Sequence, residues 1–253
     1  DSCCYTTDPT VSRAEIINLK EPEEWKKIPS ECEAYESKLP IRDRNGNVLK
    51  EYYLLAYRSK DKQEILICRS KDFKDSIVSM KVGKWSDWII DSIKTEKETV
   101  EYAFKMKLLE LDLPEKVKIY RTPVHKTTDF TVPKEFAREL TSSIGPIFEW
   151  TNPADFELGW IDLDTQMEIY EMHTEWIIKA IRFLLKKNDW DLFITQWHPI
   201  DYAQHIVFGA IDPGHPDYDP EKADQYWDFL GRVYGLFDTC ARLLQGLGLS
   251  CVF

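Results

Sequence analysis

The chain lacks a long hydrophobic run, a C-x-x-C cysteine pair and an excess of positive charge. No apolar stretch approaches the roughly 20 residues that a membrane-spanning helix needs, so we expect no association with a membrane. The formal net charge of −11 disfavours binding to duplex nucleic acid or to anionic lipid. It leaves an anionic substrate open, because a bound metal ion can reverse the local field. The six scattered cysteines favour a reducing compartment, and we predict the cytoplasm.

The sequence at the two ends of the chain suggests that it is part of a longer protein. It begins at Asp1 without a signal-peptide pattern. It ends in GLGLSCVF (Gly246–Phe253), which has the pattern of a turn followed by the opening of a buried strand. We therefore expect an excised piece of a longer protein. The 253 residues suffice for one large domain or two smaller ones.

Residues 1–130 carry mostly strand signals and are predicted to form a β-rich region. Asn45-Gly46 marks a tight turn, which predicts a hairpin between about Leu39 and Tyr57. A short helix is predicted over Pro22–Lys27. The predicted strands are Arg13–Leu19, Glu33–Leu39, Tyr52–Tyr57, Glu64–Cys68, Trp88–Ile93, Tyr102–Leu111 and Lys116–Tyr120.

Residues 131–253 change to a helix, strand, helix pattern. Apolar residues at helical spacing predict helices over Thr165–Lys187 and about Pro220–Leu247, and a shorter one is predicted over Pro133–Ser142. Between the two long helices, the apolar run Leu192–Thr195 predicts a buried strand. Such a run corresponds to one and a half units of a doubly wound sheet, so the predicted fold class is α/β, and α+β overall.

A possible metal site follows the predicted strand. His198, Asp201 and His205 lie in one short stretch, and one helical turn would place Asp201 and His205 on the same face. Ligands in open α/β sheets gather just beyond the carboxyl ends of the strands. A carboxylate oxygen and an imidazole nitrogen together suit Zn²⁺ or a similar divalent ion. We predict Asp201 and His205 as metal ligands, whereas His198 is more simply a residue that anchors the loop.

Three motifs in this region carry a family resemblance. DWDLF (Asp189–Phe193), DYAQH (Asp201–His205) and DPGHP (Asp212–Pro216) resemble the alkaline phosphatase superfamily, and more narrowly its type I phosphodiesterase/nucleotide pyrophosphatase branch. The segment VGKWSDWI (Val82–Ile89) is similar to an element of the β-rich insertion of prokaryotic relatives. The resemblance implies part of a doubly wound catalytic core, residues 131–253, preceded by an inserted cap region, residues 1–130.

The resemblance also implies a function. Members of this family hydrolyse phosphate esters and diesters, including nucleotide-like substrates, through a Thr or Ser nucleophile and two metal ions, usually zinc. Asp201 and His205 match the D-x-x-x-H metal pair of the family, and no Asp-His dipeptide matches the second pair. We therefore expect the nucleophile and the other ligands to lie outside these residues, and the chain alone to be inactive.

The sequence is also consistent with other functions. The D-x-x-x-H pattern also occurs in relatives of the phosphoglycerate mutase and sulfatase type. A non-catalytic binding or interaction domain with a vestigial D-x-x-x-H is the alternative from a different class. The sequence leaves the substrate, the metal and the oligomeric state undetermined.

Overall fold

The computed structural model describes residues 1–60, 62–94, 98–149, 152–187 and 189–246. The chain divides into two compact units, Asp1–Arg138 and Glu139–Phe253. The first unit holds all the strands that the described residues form, and the second is helical wherever it is described and regular. The chain therefore has the mixed helix and sheet content of the predicted α/β class.

The described residues of the first unit form three small sheets. Their strand orders are β2-β1-β10-β9, β11-β8-β7 and β3-β4-β5-β6, and every pairing is antiparallel except the parallel pair β1–β2. The strands are β1 Cys3–Thr6, β2 Glu15–Ile16, β3 Glu33–Arg42, β4 Val48–Ser59, β5 Lys62–Cys68, β6 Ser76–Met80, β7 Ile89–Lys94, β8 Thr99–Phe104, β9 Met106–Asp112, β10 Lys116–Arg121 and β11 His125–Lys126.

The predicted hairpin is confirmed as the pair β3–β4. The backbone N–H groups of Asn45 and Asn47 both donate to the Asp43 carboxylate, which shapes the connection. Gly46 has a φ of 86°, a left-handed conformation that glycine adopts at little cost. Both strands extend beyond their predicted ends, because pairing with a neighbour continues past the hydrophobic residues that signal a strand.

Three sequence predictions in the first unit are wrong in detail. No helix forms over Pro22–Lys27, because Glu24 and Lys27 have positive φ values of 59° and 63°. The strand predicted over Arg13–Leu19 shrinks to the two residues of β2. The strand predicted over Tyr102–Leu111 is two strands, β8 and β9, which belong to different sheets and are separated at Lys105.

The core of the first unit combines aliphatic side chains with buried tyrosines. The Tyr52 hydroxyl lies 2.6 Å from the Tyr102 hydroxyl and 3.1 Å from the Asp91 carboxylate. The Tyr5 hydroxyl donates to the Pro40 carbonyl at 2.8 Å. These phenols satisfy their polar groups inside an otherwise apolar core, as buried hydroxyls must.

Helices form the second unit, and one helix crosses the boundary between the two units. Helix α1, Glu135–Ile144, spans the boundary, and the others are α2 Ala154–Glu157, α3 Leu163–Lys187, α4 Pro199–Ile211 and α5 Ala223–Gln245. The predicted helices Pro133–Ser142, Thr165–Lys187 and Pro220–Leu247 correspond to α1, α3 and α5, although Leu247 lies outside the described residues. Buried residues of α3, α4 and α5 form one hydrophobic cluster.

The predicted strand Leu192–Thr195 is wrong. Residues 189–198 have no regular structure, and Leu192 and Ile194 are 73% and 82% exposed. In the described part of the second unit no strand is present to accept hydrogen bonds from this segment, and a lone strand has nothing to stabilise it. The stretch after it, expected as a ligand loop, is helix α4. The described residues of this unit therefore contain no doubly wound sheet.

Two further observations bear on the sequence predictions. Among the helices of the described residues, none combines the length and the apolar character that crossing a bilayer requires. Five cysteines lie in the described residues, and all five are free thiols: Cys3, Cys4, Cys32, Cys68 and Cys240. Cys251 lies outside the described residues.

Candidate functional site

Helix α4 positions the predicted metal ligands. Proline occupies its first turn, where the missing backbone N–H is not needed and the fixed φ suits the helix. Pro199, Ala203, Val207 and Ile211 are buried, and their spacing of four residues forms one apolar stripe. Three of them, Ala203, Val207 and Ile211, pack in the cluster with α3 and α5. This packing fixes which face of α4 meets solvent.

Asp201 and His205 lie on the solvent face of α4, one turn apart. The His205 Nε2 atom is 3.7 Å from the Asp201 Oδ1 atom, and the two side chains are 67% and 61% exposed. This separation is too long for a hydrogen bond. Among the described residues, the His205 ring makes no hydrogen bond. The structure thus brings the two predicted ligands side by side with their donor atoms accessible.

Tryptophan anchors the irregular segment that leads into α4. The Trp197 indole N–H donates to the Thr174 hydroxyl of α3 at 3.0 Å, and its ring packs on Phe237 of α5 at 5.7 Å between centroids. His198 stands at the N-cap position without a side-chain capping bond, and its ring lies 5.8 Å from that of Tyr202. In the described residues, His198 packs against Tyr202 and does not join Asp201 and His205 in a three-ligand group.

The segment after α4 folds back on the helix. A Cβ atom at Gly209 would lie 3.2 Å from the Cε1 and Nδ1 atoms of His215, so the absence of a side chain allows this close approach. The Asp217 backbone N–H donates to His215 Nδ1 at 3.1 Å, and the Asp219 N–H donates to the Ala210 carbonyl at 3.0 Å. His215 is thus a structural contact of the helix.

A second exposed Asp–His pair offers a comparison with the predicted ligands. His215 Nδ1 and Asp217 Oδ2 are also 3.7 Å apart. The Nδ1 lone pair of His215 is already used by the Asp217 N–H, so this nitrogen cannot also bind a metal ion. The Asp201–His205 pair has no such competing bond. Of these two pairs, only Asp201–His205 presents both donor atoms free.

The metal-binding capacity of the described residues is limited. No group of three or more His, Cys, Asp or Glu side chains suitable for a metal ion occurs among them. A structural zinc site has four ligands, and a catalytic zinc site usually has three ligands from the protein. Asp201 and His205 could therefore supply only part of a coordination shell.

His173 lies outside the predicted metal site, in the core. His173, on the apolar stripe of α3, is 2% exposed and its Nδ1 hydrogen bonds with the Phe148 carbonyl at 2.9 Å, as expected of a core histidine. Burial lowers the pKa of His173, which keeps the ring neutral.

Arg121, the last residue of β10, lines a cleft in the first unit. A single arginine at a strand end gives no sequence signal, and only the fold reveals it.

Comparison with known proteins gives no relative. No family model, no curated protein and no solved structure matches this chain.

Proposed function

We propose that this chain is part of a metal-dependent hydrolase acting on phosphate esters or diesters, of the phosphodiesterase/nucleotide pyrophosphatase type, in which Asp201 and His205 bind one divalent ion. The observation that carries the proposal is their geometry, with an exposed carboxylate oxygen and an exposed imidazole nitrogen 3.7 Å apart on one face of α4. The resemblance of the DYAQH and DPGHP motifs to this family supplies the reaction class.

The donor pair fits a zinc ion. Zinc binds carboxylate oxygen and imidazole nitrogen at about 2.0–2.2 Å in a tetrahedral shell, which places two donors about 3.4 Å apart. The observed 3.7 Å needs only a small side-chain movement, which the exposure of both groups permits. His205 would bind through its neutral ring, and Asp201 would lower the net charge of the site.

The chemistry follows from the type of substrate. Hydrolysis of a phosphate ester moves negative charge onto the attacking and leaving oxygens. A bound divalent ion supplies charge neutralisation and activation of a hydroxyl nucleophile. Helix α4 contributes rigidity, because its buried stripe holds the two ligands at a fixed separation. The proposed substrate is therefore a small phosphorylated or nucleotide-like molecule, and the proposed compartment is the cytoplasm, from the scattered cysteines.

The test compares zinc content and hydrolysis of bis(p-nitrophenyl) phosphate in the intact protein. We expect Asp201→Ala and His205→Ala each to lower kcat/KM by about 100-fold or more, since loss even of a residue that merely supports a ligand costs 10–100-fold. Asp217→Ala is the matched control, an exposed aspartate beside a histidine at the same distance, and should retain activity. Full activity and full zinc content in both ligand variants would refute the proposal.

Two further arms separate the alternatives. The chain alone should show no turnover, because its described residues offer only two suitable ligands. Hydrolysis of p-nitrophenyl sulfate in preference to the phosphate diester would instead indicate the sulfatase type. An intact protein that neither binds zinc nor hydrolyses either ester would favour the interaction domain, which is consistent with the lack of a three-ligand group among the described residues.

A further inference from the structure

A cleft of about 430 Å³ in the first unit has a buried arginine in its wall. Arg121, at the end of β10, is only 5% exposed. The cleft is also lined by the start of the chain, the β3–β4 connection and part of β7, including Arg42, Leu49 and Ile93. Its volume suits a small molecule.

Most of the donors of Arg121 are used by neutral oxygen atoms. Its Nε donates to the Tyr5 hydroxyl at 3.3 Å, and Nη1 donates to the carbonyls of Asp1 and Thr122 at 3.2 and 2.8 Å. The Tyr5 hydroxyl uses its own proton on the Pro40 carbonyl, so it can only accept from Arg121. Within the described residues, no oxygen atom accepts a hydrogen bond from Nη2, and the one further side chain that interacts with the guanidinium is the neutral thiol of Cys3, a weak acceptor that also lines the cleft.

The charge of Arg121 is also unbalanced. No carboxylate forms an ion pair with it anywhere in the part of the chain that the structure describes. Its guanidinium lies 5.9 Å from the centroid of the Phe104 ring, a cation–π contact that offsets only part of the desolvation. A buried charge without a counter-ion is costly, and proteins almost always pair it.

The other charged side chains that line the cleft have partners of their own, and Arg44 lies 4.0 Å from the Asp1 carboxylate. Arg42 forms two hydrogen bonds with the Glu15 carboxylate, at 2.8 and 3.0 Å. The Asp43 carboxylate accepts N–H groups of its own turn, and hydrogen bonds from Asn47 lower its pKa, so it stays ionised at the rim. Neither carboxylate contacts Arg121. The part of the cleft wall that Arg121 forms therefore carries a positive charge in a chain whose net charge is −11.

We propose that this cleft binds the oxyanion group of a small molecule, a carboxylate or a phosphate, with Arg121 as its counter-ion. The two N–H groups of Nη2 donate to the anion, and the charge that the fold leaves unpaired is balanced on binding. This site lies wholly in the first unit and uses neither Asp201 nor His205, so it goes beyond the hydrolase function proposed above.

The test titrates the full chain with inorganic phosphate and with sodium acetate by calorimetry, after treatment with a chelator. The chelator removes divalent ions, so phosphate bound to a metal at Asp201 and His205 does not contribute. We expect saturable binding of one anion per chain, accompanied by a rise in Tm. Preference for phosphate or for acetate identifies the class of the natural ligand.

A matched pair of variants locates the site. Leu49 lines this cleft and its neighbour Val48 does not, although the two are 43% and 49% exposed in the same strand. Leu49→Glu places a competing carboxylate in the cleft and should weaken binding by about tenfold or more, whereas Val48→Glu should not. Arg121→Gln should abolish binding if it folds.

Two results would overturn the proposal. One is the absence of saturable binding of either anion by the wild-type chain. The other is equal affinity in Leu49→Glu and Val48→Glu. Because both leucine and valine are exposed, these two variants remain informative even if Arg121→Gln does not fold.

Discussion

Glu36 in β3 is a buried carboxylate whose neutralisation should destabilise the first unit. Its side chain is 4% exposed and hydrogen bonds with the Trp25 indole and with Lys71, whose Nζ lies 3.0 Å away. Lys20 lies 3.3 Å away. Burial alone would raise the pKa of Glu36, but the hydrogen bonds from Lys71 and Trp25 outweigh it, and the pKa is held below its usual range.

The size of the effect of Glu36→Gln follows from these partners. Breaking a fully buried ion pair costs about 3–5 kcal/mol, because the other charge stays buried. Here the lysines can reach water, since the side chains of Lys71 and Lys20 are 25% and 55% exposed. The glutamine can also still accept from the Trp25 indole. We therefore expect a loss of about 1–3 kcal/mol in the free energy of unfolding at pH 7.

The pH dependence of the stability difference between wild type and Glu36→Gln gives a sharper test than its magnitude at pH 7 alone. A carboxyl whose pKa is lower in the folded state stabilises the fold above its unfolded pKa, about 4.3 for glutamate, and this stabilisation is lost as the pH falls through the folded pKa. The wild type should therefore lose its advantage over Glu36→Gln on acidification. The gap in stability between the two proteins should narrow progressively as the pH falls below about 4.3.

The assay is urea unfolding at steps between pH 7 and pH 3, with hydrogen exchange of the β3 and β4 peptides to assign the change to this sheet. Glu33→Gln is the control in the same strand. Its carboxylate is 43% exposed and 3.5 Å from Arg58, so its loss should cost less than about 1 kcal/mol. A gap between wild type and Glu36→Gln that stays constant down to pH 3 would refute the reasoning.

Three further predictions concern α4 and its surroundings. Val207→Ala removes two fully buried carbons and should lower the free energy of unfolding by about 2 kcal/mol, whereas the exposed neighbour Phe208→Ala should change it by about 0.5 kcal/mol or less in urea titrations. Trp197→Phe loses the indole bond to α3 and should cost about 1 kcal/mol, with faster hydrogen exchange at the start of α4. Gly209→Ala should stabilise a His215→Ala background by about 1 kcal/mol but wild type by less, because the new Cβ meets the His215 ring; equal gains in thermal unfolding would contradict this contact.

The elements that the sequence predicted well are those with a strong local signal. Helices α3 and α5 repeat apolar residues at helical spacing over more than twenty residues each, and the Asn45-Gly46 turn marks the β3–β4 hairpin. The adjacency of Asp201 and His205 followed from helical spacing alone. In these cases the pattern along the chain determines the local structure.

The sequence predictions failed where contacts between distant parts of the chain determine the structure. The run Leu192–Thr195 has the composition of a buried strand, but a strand forms only where a neighbour accepts its hydrogen bonds, and composition says nothing about that neighbour. The positive φ of Glu24 likewise occurs where the chain passes beside residues 71–73, to which Lys26 is hydrogen bonded. Arg121 acquires its significance only because Tyr5 and the start of the chain fold around it.

The hydrogen bonds between Tyr52, Tyr102 and Asp91 have defined donors and acceptors. A carboxylate only accepts, so Tyr52 donates its proton to Asp91, and its oxygen is left to accept the proton of Tyr102. This relay joins β4 of one sheet to β7 and β8 of another. A slip of β8 by a single residue would turn Tyr102 to the opposite face and leave Tyr52 without its donor. The hydrogen bonds of these three polar groups therefore specify one strand register. The surrounding aliphatic side chains could not specify it, because they can replace one another in a shifted register.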